Sequence, residues 1–393
     1  MSRTDQPADT PTGDPTRVRH RKTRGAFWAT VSMYLLIAFE FFYMASPFAA
    51  YFYAAYGPSL NFLNENSAFS WLSRVFLPHV AAQTKSPILD AHNVIGAVLA
   101  VGGFAGFCVG AAQVYYRKLR RRGMATRGIY TRVRHPQYTC LIVSSAGMLL
   151  LWPRYLVLIS FVTMLFAYYF LARVEERECS ARFGAGYDAY LRRTPMFLPL
   201  RRPRSRRRTG RSTPPRSAAV RAGLVAVTYL SVMVAAVGAA GVVNEWALDS
   251  LYARYLPHEV YLSVTRLSDQ DLARIGTLLA GNPDVAAARV GADPGDAYID
   301  YVLPAGWYIS ETLMAQRPGT EPLLGSGYTG TSYRVVITRA RLRNPARGRD
   351  ILTSVLRRTP VLEVVVDLRR NLVTQVLPPD GSPRYEGIPV PVF

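Results

Sequence analysis

Gly128-Ile129-Tyr130-Thr131-Arg132-Val133-Arg134-His135-Pro136-Gln137-Tyr138 precedes two apolar segments, and Glu175-Glu176-Arg177-Glu178 follows them, with Phe183-Gly184, Tyr187, Tyr190, Pro195 and Pro199 behind. The first apolar segment, Tyr138 to Trp152, is short for a crossing that needs ~20 residues. Pro153-Arg154 supplies a tight turn and Tyr155 to Arg173 returns. The pair reads as a membrane hairpin, with tilt or local thinning absorbing the mismatch. Both polar clusters then emerge on one side of the bilayer, close together. That is a site.

The charge distribution says which side. The formal net charge is +21, yet from Asn244 onward 16 Lys and Arg face 16 Asp and Glu. The whole excess therefore lies in the part that carries the long apolar runs, as the positive-inside rule and anionic lipid require of cytoplasmic loops. Nucleic-acid binding is not expected. Arg117, Lys118, Arg120, Arg121, Arg122, Arg127, Arg132 and Arg134 crowd the loop ahead of the hairpin and set it in the cytoplasm. Cys108, Cys140 and Cys179 match no zinc spacing, so no metal site is expected, and as none lies in the C-terminal third no disulfide framework is expected there.

Residues 1–25 are rich in Thr, Pro, Asp and Arg and are expected to be a disordered basic tail. The apolar run from Phe27 to about Tyr53 is long enough to cross, and a retained signal anchor is preferred to a cleaved signal peptide. Glu40 lies inside it, and an ionisable group at that depth is a functional candidate. Val94 to about Tyr115 forms the next span. Its Gly102, Gly106 and Gly110 fall at Gly-x-x-x-Gly spacing, which serves close helix packing, with a thin wall beside a ligand as the functional alternative.

Arg206-Arg207-Arg208 sits in a linker beside the headgroups, and Ala222 to Val243 is the last span. With the N-terminus inside, five spans put everything after Asn244 outside the cytoplasm. Ser268 caps a helix carrying Leu272, Ile275, Leu278 and Leu279, which Gly281-Asn282-Pro283 ends. Asp350 to Arg357 is a further short helix. Tyr298–Val302, Tyr333–Thr338, Leu362–Asp367 and Leu372–Leu377 have strand character. A small soluble α+β domain with a binding or docking role is the expectation.

The two motifs, in order and separated by a hairpin, resemble those of the isoprenylcysteine carboxyl methyltransferase and phospholipid methyltransferase superfamily, over about residues 98–199. The resemblance implies S-adenosyl-L-methionine bound at the cytoplasmic membrane face, with Tyr130, Arg134, His135, Pro136, Tyr138, Glu175 and Glu176 around it. Of these, Arg134 and Glu176 are the expected catalytic pair. The residue types suit such a ligand: Arg134 or His135 for its carboxylate, a glutamate for its ammonium or ribose hydroxyls, and tyrosine faces for adenine or the sulfonium. The sulfonium carries a good leaving group, so catalysis can rest on orientation.

Each residue also has a plainer role. Arg134 is a positive-inside anchor, His135-Pro136 a helix start, the glutamates a solvated helix end, and Tyr187 with Tyr190 an interfacial helix face. Glu175 and Glu176 point ~100° apart, which favours one of them, Glu176, as the inward carboxylate.

The implied organisation is a basic tail (1–25), a membrane methyltransferase-like domain (26–200), an Arg-rich cytoplasmic linker (201–221), a last transmembrane helix (222–243) and an extracytoplasmic α+β domain (244–393). The expected activity is methyl transfer to a lipophilic acceptor, an isoprenoid or lipid carboxylate, amine or hydroxyl. Membrane lipids are the expected surroundings, and an extracytoplasmic ligand or protein is expected for the last domain. Two other readings stand beside this one. NADPH-dependent sterol-type reductases also carry Arg-His-Pro, commonly followed by an acid that Tyr138-Thr139-Cys140-Leu141 lacks. A non-enzymatic anchor for the C-terminal domain is the other.

Overall fold

The computed structural model describes residues 61–120, 126–199, 217–290, 295–308, 330–379 and 390–393, with the pair 321–322 and isolated positions before 61. The expected tail 1–25, almost all of the run from Phe27 to Tyr53 with Glu40, and most of the linker 201–221 lie outside the described residues. The chain forms two compact units. One is built from Met1–Ala38, Gly103–Ile142 and Thr163–Pro215, the other from Phe39–Gly102, Val143–Val162 and Arg216–Phe393.

Three helices among the described residues are long and apolar enough to cross a membrane, over Pro87–Arg117, Tyr155–Phe183 and Ala219–Asp249. Pro136–Leu151 is a shorter apolar helix. The helices themselves are α1 (His92–Leu119), α2 (Pro136–Leu151), α3 (Tyr155–Phe183), α4 (Ala185–Arg193) and α5 (Ala218–Asp249). Pro136 opens α2 at the position where a missing N–H costs nothing. The sequence places the end of the second hairpin segment at Arg173, but α3 runs on to Phe183. Glu, Arg, Ala and Cys there carry no helix-breaking residue. What stops it is Gly184, at a φ of 57° that side chains rarely adopt. Glu175 and Glu176 are therefore held inside a rigid helix. In α5, Ser217 caps the start by accepting from Val220 N at 3.3 Å. Arg349 bridges Glu245 and Asp249, one turn apart near its end.

Beyond α5 a six-stranded sheet runs β1 (Tyr252–Tyr255), β2 (Glu259–Ser263), β3 (Asp296–Pro304), β4 (Ser332–Leu342), β5 (Val355–Asp367) and β6 (Leu372–Leu377) in spatial as well as chain order. All neighbours are antiparallel except β2 and β3. Their parallel pairing requires a crossover, made by α6 (Asp269–Ala280) and α7 (Pro283–Arg289). Ser268 caps α6 as expected, its hydroxyl accepting from Asp271 N at 3.0 Å. Leu272, Ile275 and Leu279 of α6 pack with Val302, Val335, Ile337, Val364 and Val366 on one sheet face. Truncating Ile275 or Leu279 would cost about 2–5 kcal/mol. Alternation puts Tyr301 on the other face, where its hydroxyl donates to Val392 O at 2.8 Å. All four strand runs read from the sequence lie in this sheet. The expected helix Asp350 to Arg357 stops at Ser354, and the chain goes straight into β5.

Glycines set how closely α1 and α2 approach. A Cβ on Gly147 would lie 2.3 Å from Ala100 N and 2.5 Å from Gly96 O, both backbone atoms that cannot rotate away. One on Gly106 would meet the Cys140 thiol at 2.8 Å, and one on Gly110 would crowd Gln137. Gly102 faces open space. Of the two Gly-x-x-x-Gly pairs, then, Gly106–Gly110 is the packing pair. Gly147→Ala is expected to destabilise the detergent-solubilised protein by about 1–3 kcal/mol or more, while Gly102→Ala leaves thermal unfolding nearly unchanged. Equal melting of the two variants would contradict this helix packing.

Candidate functional site

The site begins with backbone. A residue before proline is held extended, which leaves the N–H groups of Arg134 and His135 without helical partners. They donate to Pro195 O at 2.9 Å and Met196 O at 3.1 Å. Thr139 adds a bond from its hydroxyl to Phe197 O at 2.9 Å. From the other direction, Tyr190 donates to Tyr130 O at 2.7 Å and Arg134 Nη1 to Leu191 O at 3.2 Å. Helix α4 and the strand-like tail after it are therefore wrapped around the Arg-His-Pro segment. Burial pushes the Tyr190 phenol up to about 12, against the pull of Arg134, and raises Tyr130 and Tyr187 as well, so all three rings stay neutral. Gly128, at φ 68°, turns the chain into the short 3-10 turn that buries Tyr130.

Against this segment stands the polar face of α3. Arg134 Nη2 lies 3.1 Å from Glu176 Oε1, and His135 Nε2 lies 3.2 Å from the same oxygen. His135 Nδ1 lies 3.5 Å from Glu175 Oε2, and Tyr138 donates its hydroxyl to Glu175 Oε1. Arg173, one turn back on α3, reaches Glu176 Oε2 at 3.7 Å. Arg134, His135 and Glu176 are buried, whereas the Glu175 side chain is 45 % exposed. Glu176 is thus the inner carboxylate and Glu175 the open one. Both touch the cluster despite their angular separation, because the His135–Tyr138 turn is wide enough to meet both.

Aromatic rings complete the wall. Tyr138 stacks on Tyr168 with centroids 4.9 Å apart and on His135 at 5.6 Å, and Phe197 leans on His135 at 5.9 Å. Tyr168 was not singled out by sequence reasoning. Its spacing of seven residues before Glu175, with Ala172 between, puts it on the same helix face, and that periodicity is the signal that could have found it. Thr139 and Phe197 carried no comparable signal, since their roles depend on the wrap by the tail. Tyr187 is buried beside Tyr190, at 5.8 Å between centroids, so this pair serves the wrap.

These observations bear on a family comparison. Residues 93–186 match the phospholipid methyltransferase family model. No curated protein and no solved structure matches the chain. The matched segment, about a quarter of the chain, contains Tyr130, Arg134, His135, Pro136, Tyr138, Glu175 and Glu176. It ends before Tyr187, and the whole sheet lies outside it.

Electrostatics makes the cluster pH-sensitive. Burial alone would lower the His135 pKa, but hydrogen bonds and charge from Glu175 and Glu176 outweigh it and hold the ring above its usual 6.5. A raised folded-state pKa adds stability that is complete below the unfolded value and is lost as pH rises through the folded one. The melting temperature of the solubilised protein is therefore expected to fall as pH is raised above 6.5, with His135→Gln flattening that part of the profile. An unaltered slope in the variant would show that His135 carries no such charge.

Proposed function

We propose that the chain is an integral membrane methyltransferase that uses S-adenosyl-L-methionine to methylate a lipophilic acceptor at the cytoplasmic membrane face. The observation that carries this reading is the joining of Arg134-His135 to Glu175-Glu176, walled by the Tyr138–Tyr168 stack, inside the segment that matches a methyltransferase family model. The donor set fits the cofactor's groups. Glu175 is a half-exposed acceptor for its ammonium or ribose hydroxyls, and His135, with one ring nitrogen toward each glutamate, holds that carboxylate in place. The Tyr138 ring offers a face for adenine or the sulfonium. When bound, the cofactor supplies an electrophilic methyl group with a neutral thioether as leaving group.

The chain's own contribution is then positional. Arg134 is engaged inward, on Leu191 O and Glu176, and the geometry supports a bracing role for that buried pair. Glu175, held by His135 and Tyr138, is the group left to meet a ligand. A carboxylate acceptor needs no base, whereas an amine or hydroxyl acceptor would need one. The apolar helices flanking the site favour an acceptor arriving through the bilayer, and the excess of basic residues before Asn244 favours the cytoplasmic side.

Equilibrium dialysis of the solubilised protein against radiolabelled S-adenosyl-L-methionine and NADPH tests the reading. Saturable binding of the former alone is expected, weakened about ten-fold or more by Glu175→Gln and by His135→Ala with helical circular dichroism retained. Binding of NADPH alone would replace this reading with the reductase one. Binding of neither would leave a membrane anchor.

A further inference from the structure

Within the second unit lies a cavity of about 340 Å³, bounded by the loop around Trp71 and Arg74, Tyr155 at the start of α3, the outer turns of α5, the start of β5 and the segment 390–393. Its size is that of a small-ligand pocket. Arg74, Arg357 and Arg358 line it, and among the described residues no Asp or Glu does. Arg358 is almost fully buried, and its acceptors are neutral: the Tyr301 hydroxyl, Val390 O at 3.1 Å and Pro391 O at 2.7 Å. Close by, Arg343 donates to the backbone of Asn64 at 3.1 Å, while its Nε and Nη1 are buried without a partner. Burial, then the charge of Arg74, lowers the Arg343 pKa. Among the described residues no carboxylate pairs with any of these four guanidinium groups.

Arginine does not shed its proton in proteins, so this charge calls for a counter-anion or for much water. The rest of the lining limits the choice. Trp71, Tyr155, Phe393 and part of α5 give the cavity an apolar side. On α5, Val234 and Val242 are more than 70 % exposed, and the helix is long and apolar enough to lie in hydrocarbon. A small hydrated anion would satisfy the arginines and leave that wall unused.

We infer that this cavity binds an amphiphilic anion, its phosphate or carboxylate head on Arg74 and Arg357 and its apolar chain along Trp71 and α5. The inference is independent of the methyltransferase reading, because it uses none of that site's residues. The pocket gives the C-terminal sheet, which the family match does not reach, a ligand of its own.

Trp71 makes the site visible by fluorescence. Full-length solubilised protein is titrated with dioctanoyl phosphatidic acid, dioctanoyl phosphatidylcholine and inorganic phosphate, with Trp71→Phe to assign the signal. Saturable binding of phosphatidic acid at least ten-fold tighter than either alternative is expected. Arg74→Gln and Arg357→Gln, both at exposed positions, should each weaken it about ten-fold, and lysine at either position should restore part of the loss. Equal affinity for the zwitterion or for inorganic phosphate, unchanged binding in both glutamine variants, or no saturable binding would overturn the inference.

Discussion

The ion pair between Arg134 and Glu176, 3.1 Å long and nearly closed to solvent, is the constraint on which the first unit depends. It ties the residue two before Pro136 to the polar end of α3, and so fixes the open end of the hairpin. Removing one partner strands a buried charge at a cost of about 3–5 kcal/mol, a large share of ordinary stability. The pair is supported from three sides. His135 shares the same glutamate oxygen, Arg173 approaches the other oxygen, and Leu191 O takes a second guanidinium nitrogen. With so many partners for one pair, a single geometry is favoured over sliding of α2 along α3.

That rigidity leaves a division of labour between adjacent residues. Glu176 is consumed by the brace, while Glu175, one position earlier, keeps nearly half its surface in solvent and still touches His135 and Tyr138. A ligand site needs both parts: groups locked by their neighbours and a group free to exchange water for a ligand. The aromatic stack from Tyr168 through Tyr138 to His135 supplies a flat apolar wall beside the open carboxylate.

Local chemistry explains which parts were legible in the sequence. Ser268 announces α6 because capping needs only a hydroxyl and a free N–H nearby, and the valine-rich strands β4 and β5 announce themselves by composition. The motif residues Arg134, His135, Glu175 and Glu176 could be read as one cluster because a hairpin returns the chain to its starting side. The end of α3 could not be read from hydropathy, since a helix continues through polar residues until backbone geometry stops it, here at Gly184. β1 and β2 are four and five residues long and lie on either side of Pro257, too short for periodicity to register, and parallel pairing of β2 with β3 is a non-local choice. The inward role of Arg134 was equally hidden, because it depends on carbonyls from Leu191 to Met196 that carry no side-chain signal.

The two sites differ in their local balance of charge. The first gathers cations and carboxylates in near balance, whereas the second, among the described residues, is lined by arginines without an aspartate or glutamate. A balanced cluster can position a zwitterionic, cationic-sulfonium ligand, while an unbalanced one demands an anion. The central claim is that the balanced cluster supports methyl transfer to a membrane-soluble molecule. Its most direct measurement is mass spectrometry of lipid extracts from cells that express the chain, cells that express Glu175→Gln, and cells that express neither, all grown with methyl-labelled methionine. A lipophilic species that carries the label only with the intact chain is the result expected. Identical labelled lipid profiles in all three would contradict the account.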